Sequence, residues 1–406
     1  MSDLHTSPLG PRMPRRRALV TLLAAAGVVV LPACGGGGGG GGGAAVGGVD
    51  TGGTGSFSTG RVSGFGSVIV NGVRFEDNAA RITDDDGAQI SAGALRLGMV
   101  VSVQGGAVTA GSDDILPSAS ASAIVVENQI KGPVESKTAP DTLVVFGQTV
   151  KVNTATVFAG TSFASIAVGD ILEVSGFADA AGVVTASFIE REDGANEFKV
   201  RGTIAGLNAA ARTFQIGSAT FNFSDPAARL PTTPLANGLF VRVRTQTVRN
   251  PSGQWPVTRI DLRDAIEDRG EARLEGILVR NGTQLQVNGV TIDTSRLPAG
   301  TPLPVGQKVE VEGALVNGVL VARKIELEDE ADDREVDVRG TASAVDTAAR
   351  TFVVRGLTFH YTPDTVREDD GTIAADLVNG ATVRVRGTLP AGGTGNIEAT
   401  RIDFRP

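Results

Sequence analysis

Gly306-Gln-Lys-Val309-Glu-Val311-Glu-Gly313 reads as a strand in eight residues. Its valines stand two apart with polar residues between them, the alternation of a strand with one buried and one wet face. The frame Gly-x-x-Val-x-Val-x-Gly recurs as Gly98-Met-Val-Val101-Ser-Val103-Gln-Gly105 and as Gly169-Asp-Ile-Leu172-Glu-Val174-Ser-Gly176. It returns in Gly380-Ala-Thr-Val383-Arg-Val385-Arg-Gly387, and in Gly238-Leu-Phe-Val241-Arg-Val243-Arg-Thr245, which loses the last glycine. A supersecondary unit repeated five times is the first thing the chain says about itself.

Outward from this valine strand, each copy closes on Ala-x-x-Ile: Ala121 to Ile124, Ala186 to Ile189, Ala322 to Ile325 and Ala399 to Ile402, with Val257 to Ile260 in the third. Each copy opens with a glycine after a short apolar strand, read as Gly64, Gly132, Gly202, Gly276 and Gly340. Between opening and valine strands lies a hairpin, plainest in Val68-Ile-Val70-Asn71-Gly72-Val73-Arg-Phe75 and Leu285-Gln-Val287-Asn288-Gly289-Val290-Thr-Ile292. Asn-Gly between alternating strands signals a type I′ turn, which needs positive φ at both positions. Elsewhere the turn keeps only glycine, at Gly147, Gly217 and Gly356.

The count is therefore five strands per unit: opening, two of the hairpin, valine and closing. That is too few for an immunoglobulin-type sandwich of about 100 residues and suits a small five-stranded barrel of the OB kind. The predicted fold is all-β, five tandem OB-like barrels over residues 60–128, 129–193, 198–264, 270–328 and 335–406. Acidic linkers such as Glu192 to Glu197, Asp264 to Gly270 and Glu328 to Glu335 separate the copies, so the expected arrangement is beads on a string. Like-charge runs of this kind read as solvated, extended linkers.

Ahead of the repeats, Arg15, Arg16 and Arg17 precede an uncharged apolar run from Ala18 to Leu31. The order is that of a secretory signal, and the run is short of the ~20 residues of a membrane span. Leu31-Pro32-Ala33-Cys34 resembles the lipobox of bacterial lipoproteins. The resemblance implies a signal peptide over residues 1–33, cleavage between Ala33 and Cys34, and a diacylglycerol on the Cys34 thiol. Cys34 is the one cysteine of the chain, so it has no disulfide partner. Residues 34–59, glycine from Gly35 to Gly43, read as a flexible tether with a reach of about 25–30 Å. Gly35 after the cysteine, by analogy with enteric lipoproteins, points to the outer membrane, facing the periplasm or the cell surface.

The repeats themselves, with an opening glycine, a Val-Asn-Gly-Val hairpin, the Gly-x-x-Val-x-Val-x-Gly strand and a closing Ala-x-x-Ile, resemble units that recur in proteobacterial lipoproteins and are catalogued as a family of unknown function. The resemblance covers nearly everything from Gly60 to Pro406 and brings no catalytic residues with it.

Composition narrows the chemistry. The chain of 406 residues carries a net charge of −8, and four of its arginines lie before Cys34, so the part from Cys34 onward is more acidic still. An acidic body repels phosphate backbones, which argues against nucleic acid as a partner. With one histidine after Cys34, His360, and no thiol but Cys34, repeated zinc sites and Cys-His or Ser-His-Asp triads are not available. No metal or cofactor is expected. Thr83-Asp84-Asp85-Asp86-Gly87 and Arg367-Glu368-Asp369-Asp370-Gly371 offer carboxylates before a glycine, which makes Asp84, Asp85, Asp86, Glu368, Asp369 and Asp370 the candidate cation-binding residues. Their acids are consecutive, whereas a calcium loop of the EF type uses alternate positions, so a solvated turn is the simpler reading. Phe75, Phe146, Phe214, Phe221, Phe352 and Phe359 fall at inward positions and read as core. Trp255, in Asn250-Pro-Ser-Gly-Gln-Trp255-Pro256, reads as an exposed loop residue and the candidate ligand contact.

The function expected is that of a non-enzymatic envelope protein, held to the membrane through lipidated Cys34, whose tandem modules bind or space a glycan or an envelope protein. The competing readings are a hydrolase using loop carboxylates and a spacer without ligand.

Overall fold

In the first repeat the opening strand Ser56–Phe65 runs antiparallel to Val68–Val70, which turns back into Val73–Glu76. On its other side the opening strand pairs antiparallel with the valine strand Val100–Gly105, and that strand with the closing strand Ser118–Val126. The closing strand then lies parallel to Val73–Glu76. The circuit is opening, hairpin, hairpin, closing, valine and back to opening: a closed five-stranded barrel with one parallel seam, the OB arrangement. Closure leaves each barrel few free strand edges. The computed structural model describes residues 55–112, 115–262, 266–367 and 372–404, and the other four repeats complete the same circuit. In the third, the opening strand breaks into Phe198–Thr203 and Ala205–Asn208.

The motif residues have identifiable work. The final glycine of each valine strand sits at a bulge facing the closing alanine: Gly105 faces Ala121, Gly176 Ala186, Gly313 Ala322 and Gly387 Ala399. A Cβ on Gly313 would lie 2.1 Å from the Val321 carbonyl oxygen, and one on Gly176 would lie 2.3 Å from that of Thr185. At these two positions any Cβ would clash with the facing carbonyl, so glycine lets the bulged strand press close. In the third barrel Thr245 faces Val257 at the same bulge. The first glycine anchors the loop before the strand. Gly98 N donates to Val62 O, and Gly169, Gly238, Gly306 and Gly380 do the same to Val134, Ile204, Leu278 and Ala342. Those acceptors lie two residues after Gly60, Gly132, Gly202, Gly276 and Gly340. The opening glycine of the first copy is therefore Gly60, which faces Val101 as Gly276 faces Val309, and not Gly64. The first opening strand carries both glycines, and sequence spacing cannot choose between them.

Asn71-Gly72 and Asn288-Gly289 have positive φ at both positions, as the type I′ turn requires. So do Phe146-Gly147 and Arg355-Gly356. An aromatic residue in that conformation is strained by roughly 1–2 kcal/mol, and Phe146 offsets this by burying its whole ring, worth about 1.5–3 kcal/mol.

The barrels are not separate beads. The second and third share one continuous core, with Phe146 against Phe198 and Trp255 at centroid distances of 5.5 and 4.9 Å. The first opening strand pairs parallel with both later ones, Ser56 to Thr59 along Glu271 to Leu274 of the fourth barrel and Gly64–Phe65 along Asp337–Val338 of the fifth. Val100, Phe177 and Ile277 form a small apolar cluster where the first, second and fourth barrels meet. The described residues thus form one compact body. The acidic segments do not hold the barrels apart, because basic strand faces neutralise acids across the joints.

Candidate functional site

Charged residues between the valines build the first site. In the third barrel these are Arg242 and Arg244, flanked on the neighbouring opening strand by Lys199 and Arg201. Period-2 alternation puts all four on one outward face. The acidic turn of the first barrel lies on it. Asp85, whose side chain is 2% exposed, has its carboxylate 3.3 Å from both Lys199 Nζ and Arg242 Nη1. Asp86 lies 2.7 Å from Arg244 Nη2 and also pairs with Lys199, while Arg201 pairs with Glu127. Burial pushes the Asp86 carboxyl up, but Lys199, Arg244 and Arg242 outweigh it and hold it below the ordinary carboxylate range. Burial likewise works against the Arg242 charge, and Asp85, Asp261 and Asp86 overcome it.

A second charged cluster lies where the first, second and fourth barrels and the Glu328–Asp333 segment converge on a cavity of about 140 Å³. Arg61 donates from Nε to Asp333 at 2.9 Å and from its backbone N to Glu275 at 2.8 Å. Lys308 pairs with both Glu275 and Asp333 and lies 5.4 Å from the centroid of the Phe177 ring. Burial works against the Lys308 ammonium, yet Glu275 and Asp333 raise its pKa above the usual lysine value. The arrangement is a neutralised ion cluster with its charges spent on one another. Sequence reasoning left Arg61, Glu275 and Lys308 unremarked and read Asp333 as part of a solvated linker, since Arg61 and Asp333 stand four repeats apart in the chain. The paired arginines between the valines of an acidic chain were the available signal for the first network: such a basic face needs counter-charges somewhere.

The residues singled out from sequence fare differently. Ala33 and Cys34, and likewise Glu368, Asp369 and Asp370, lie outside the described residues. Asp84 caps its own turn, its Oδ1 accepting from the backbone N of Asp86 at 2.9 Å and of Ala88 at 2.8 Å. Asp85 and Asp86, read as solvated or cation-binding, meet protein cations instead. Among the described residues no cluster of three or more His, Cys, Asp or Glu is placed to hold a metal ion. Trp255, expected on an exposed loop, is the first residue of the closing strand Trp255–Leu262 and is 4% exposed. It is wedged between Phe146 and Phe198 with the Arg249 guanidinium 4.3 Å from its ring centroid. The loop reading failed because the Pro256 beside it suggested a turn, whereas the strand begins there. His360 is half-buried opposite Thr351. The six phenylalanines read as core are all fully buried or nearly so. No phenylalanine, tyrosine or tryptophan among the described residues is exposed.

Three segments of the chain, residues 131–190, 274–326 and 339–403, match a family described as a domain of unknown function (DUF5666). They coincide with the second, fourth and fifth barrels. No curated protein matches the chain. Among solved structures, drosophila Unr CSD456 is similar at 14% identity, over 50% of this chain and 98% of that one, with a TM-score of 0.14. The OB assignment rests on the strand circuit and takes nothing from so low a score.

Proposed function

We propose that the chain is a non-enzymatic, lipid-anchored protein of the cell envelope whose joined OB-like barrels hold a protein partner through charged strand faces. The supporting observation is the way the molecule binds itself: Lys199, Arg201, Arg242 and Arg244 of the third barrel capture Asp85, Asp86 and Glu127 of the first. The same strand positions are acidic in the fourth barrel, where Glu310 and Glu312 pair with Arg273, and basic in the fifth, where Arg384 and Arg386 pair with Asp337 and Asp403. OB barrels that bind nucleic acid or sugar without charge matching rely on stacking rings, and none of the described aromatic residues is exposed. A glycan partner is for that reason the second reading. Hydrolysis by loop carboxylates is disfavoured because Asp85 and Asp86 already satisfy protein cations.

The test has two parts. Cys34→Ser should abolish incorporation of labelled lipid and release the protein from the membrane fraction; retention of both would remove the anchor from the proposal. The lipid-free protein should enrich an envelope protein at low salt and lose it at about 0.5 M salt, where the Debye length shrinks to a few ångströms. Enrichment of a glycan, or of nothing, would favour the sugar-binding and spacer readings respectively.

A further inference from the structure

The residue three before the first glycine of each valine strand is always leucine or isoleucine: Leu95, Ile166, Leu235, Leu303 and Leu377. Because the glycine is tied to the opening strand by the same backbone bond in every copy, this side chain is presented to the same end of each barrel. In the first, second and fifth barrels it is a plug, only 3%, 3% and 1% exposed, and part of the core. The third and fourth barrels depart from this, and Leu303 of the fourth is simply exposed. Leu235 is half-buried, and beside it opens a groove of about 380 Å³ lined by Leu207, Phe223, Leu230, Pro234 and Leu235, with Arg212 the one charged residue on its wall.

Comparison with the fifth barrel isolates the cause. Both carry Ala-Ala-Arg-Thr-Phe at the hairpin, with Arg212 and Arg350 at φ 51° and 54°. Both arginine carbonyls accept a backbone N–H from an aromatic residue, Phe223 at 2.9 Å and Tyr361 at 3.0 Å. Phe214 and Phe223 stand 5.9 Å apart, Phe352 and Tyr361 6.3 Å. The frames match, but the fifth barrel seats Leu377 at the end of the short helix Ile373–Asp376. The third has Leu230-Pro231-Thr-Thr-Pro234-Leu235 there, and two prolines three apart deny the segment a helical turn. Leu235 packs against the core without being buried in it, and a groove stays open beside it.

We propose that this groove binds a medium-chain aliphatic carboxylate, the chain lying beside Leu235 and Arg212 holding the carboxylate at the mouth. An aliphatic group is what the equivalent space accepts in three sister barrels. The volume lies near the lower end of the 300–1,000 Å³ of ligand pockets, which selects a short chain over a long one. Among the described residues Arg212 makes no ion pair, so its five donors are available. The inference is independent of the protein-partner reading, since it uses the end of the third barrel and not its strand face.

Calorimetric titration of the full chain with decanoate, with decanol and with phosphatidylcholine vesicles decides it. Decanoate should bind one site per chain, and decanol at least about tenfold more weakly, the worth of one charge-assisted contact. Arg212→Gln should bring decanoate down to the level of decanol and leave decanol unchanged. Leu235→Trp, which fills the groove, should abolish both; if that variant does not fold, the arginine comparison still stands. No decanoate binding, equal binding of acid and alcohol, indifference to Arg212→Gln, or binding to vesicles alone would each overturn the proposal.

Discussion

The second and third barrels are joined by a shared hydrocarbon core, whereas the joint of the first and fourth adds an ion cluster to paired strands and the packing of Phe57 into the fourth core. At the former joint Phe146, Phe198 and Trp255 meet edge to face in a shared core. At the latter, Arg61, Glu275, Lys308 and Asp333 form a near-dry cluster beside parallel strands. Apolar burial is non-directional and insensitive to pH. A buried ion cluster gains little net energy over an apolar replacement, but it penalises any arrangement that leaves one charge alone. The first joint therefore supplies adhesion and the second supplies register, which suits their places: consecutive barrels meet at the one, barrels far apart in sequence at the other.

The contrast is most exposed at Phe146. Phe146→Ala should destabilise the body by about 3–5 kcal/mol, read from the urea midpoint, with no dependence on salt. A loss below 1 kcal/mol would mean the shared core does not join the two barrels. At the ionic joint, Glu275→Leu leaves Lys308 with Asp333 as its remaining partner and should cost about 3 kcal/mol. Adding Lys308→Met should recover most of that loss, because Arg61 and Asp333 stay paired. If the double variant is as damaged as the single, the cluster contributes adhesion after all and the distinction fails. A smaller effect is expected at the bulges: Gly313→Ala places a methyl against the Val321 carbonyl and should lower stability by about 1–3 kcal/mol, whereas Gly318→Ala at an open turn meets nothing and should cost less, its penalty being that of positive φ alone.

Much of this architecture was legible in the chain because the repeat states each element five times. The valine strand, the Asn-Gly hairpin and the closing Ala-x-x-Ile are local patterns, and local patterns survive translation into strands. The joints were not legible. Arg61 and Asp333 meet across four repeats, and nothing local marks Asp85 as the partner of Arg242. The acidic segments read as spacers because charge repels its like, and their counter-charges sat on strand faces where arginine between valines looks merely wet. Trp255 misled for the opposite reason: its neighbours Asn250, Pro251, Gly253 and Pro256 have turn composition, while tertiary packing places the indole in the shared core.

The smallest effects concern pH, and they run in opposite directions on two adjacent barrels. The Asp86 carboxyl is held below its ordinary value of 3.8 by Lys199, Arg244 and Arg242 against the pull of burial. Its contribution is fully present above that value and disappears as pH falls through the lowered one. Glu173 in the second barrel is pushed above its ordinary 4.5, by burial first and by Glu192, despite Lys131 at 3.3 Å. Its folded form favours the proton, so it supports the fold below 4.5 and ceases to do so as pH rises through the raised value. Urea unfolding between about pH 3 and pH 7 should show Asp86→Asn flattening the acid limb and Glu173→Gln flattening the decline above it. Because Asp86 is partly open to solvent, its effect should also fade at high salt, while that of Glu173, set chiefly by burial, should persist. Equal salt sensitivity of the two would mean that the acidic turn and the basic face are no more exposed than the barrel wall, and that the contact between the first and third barrels is a closed joint like the other two.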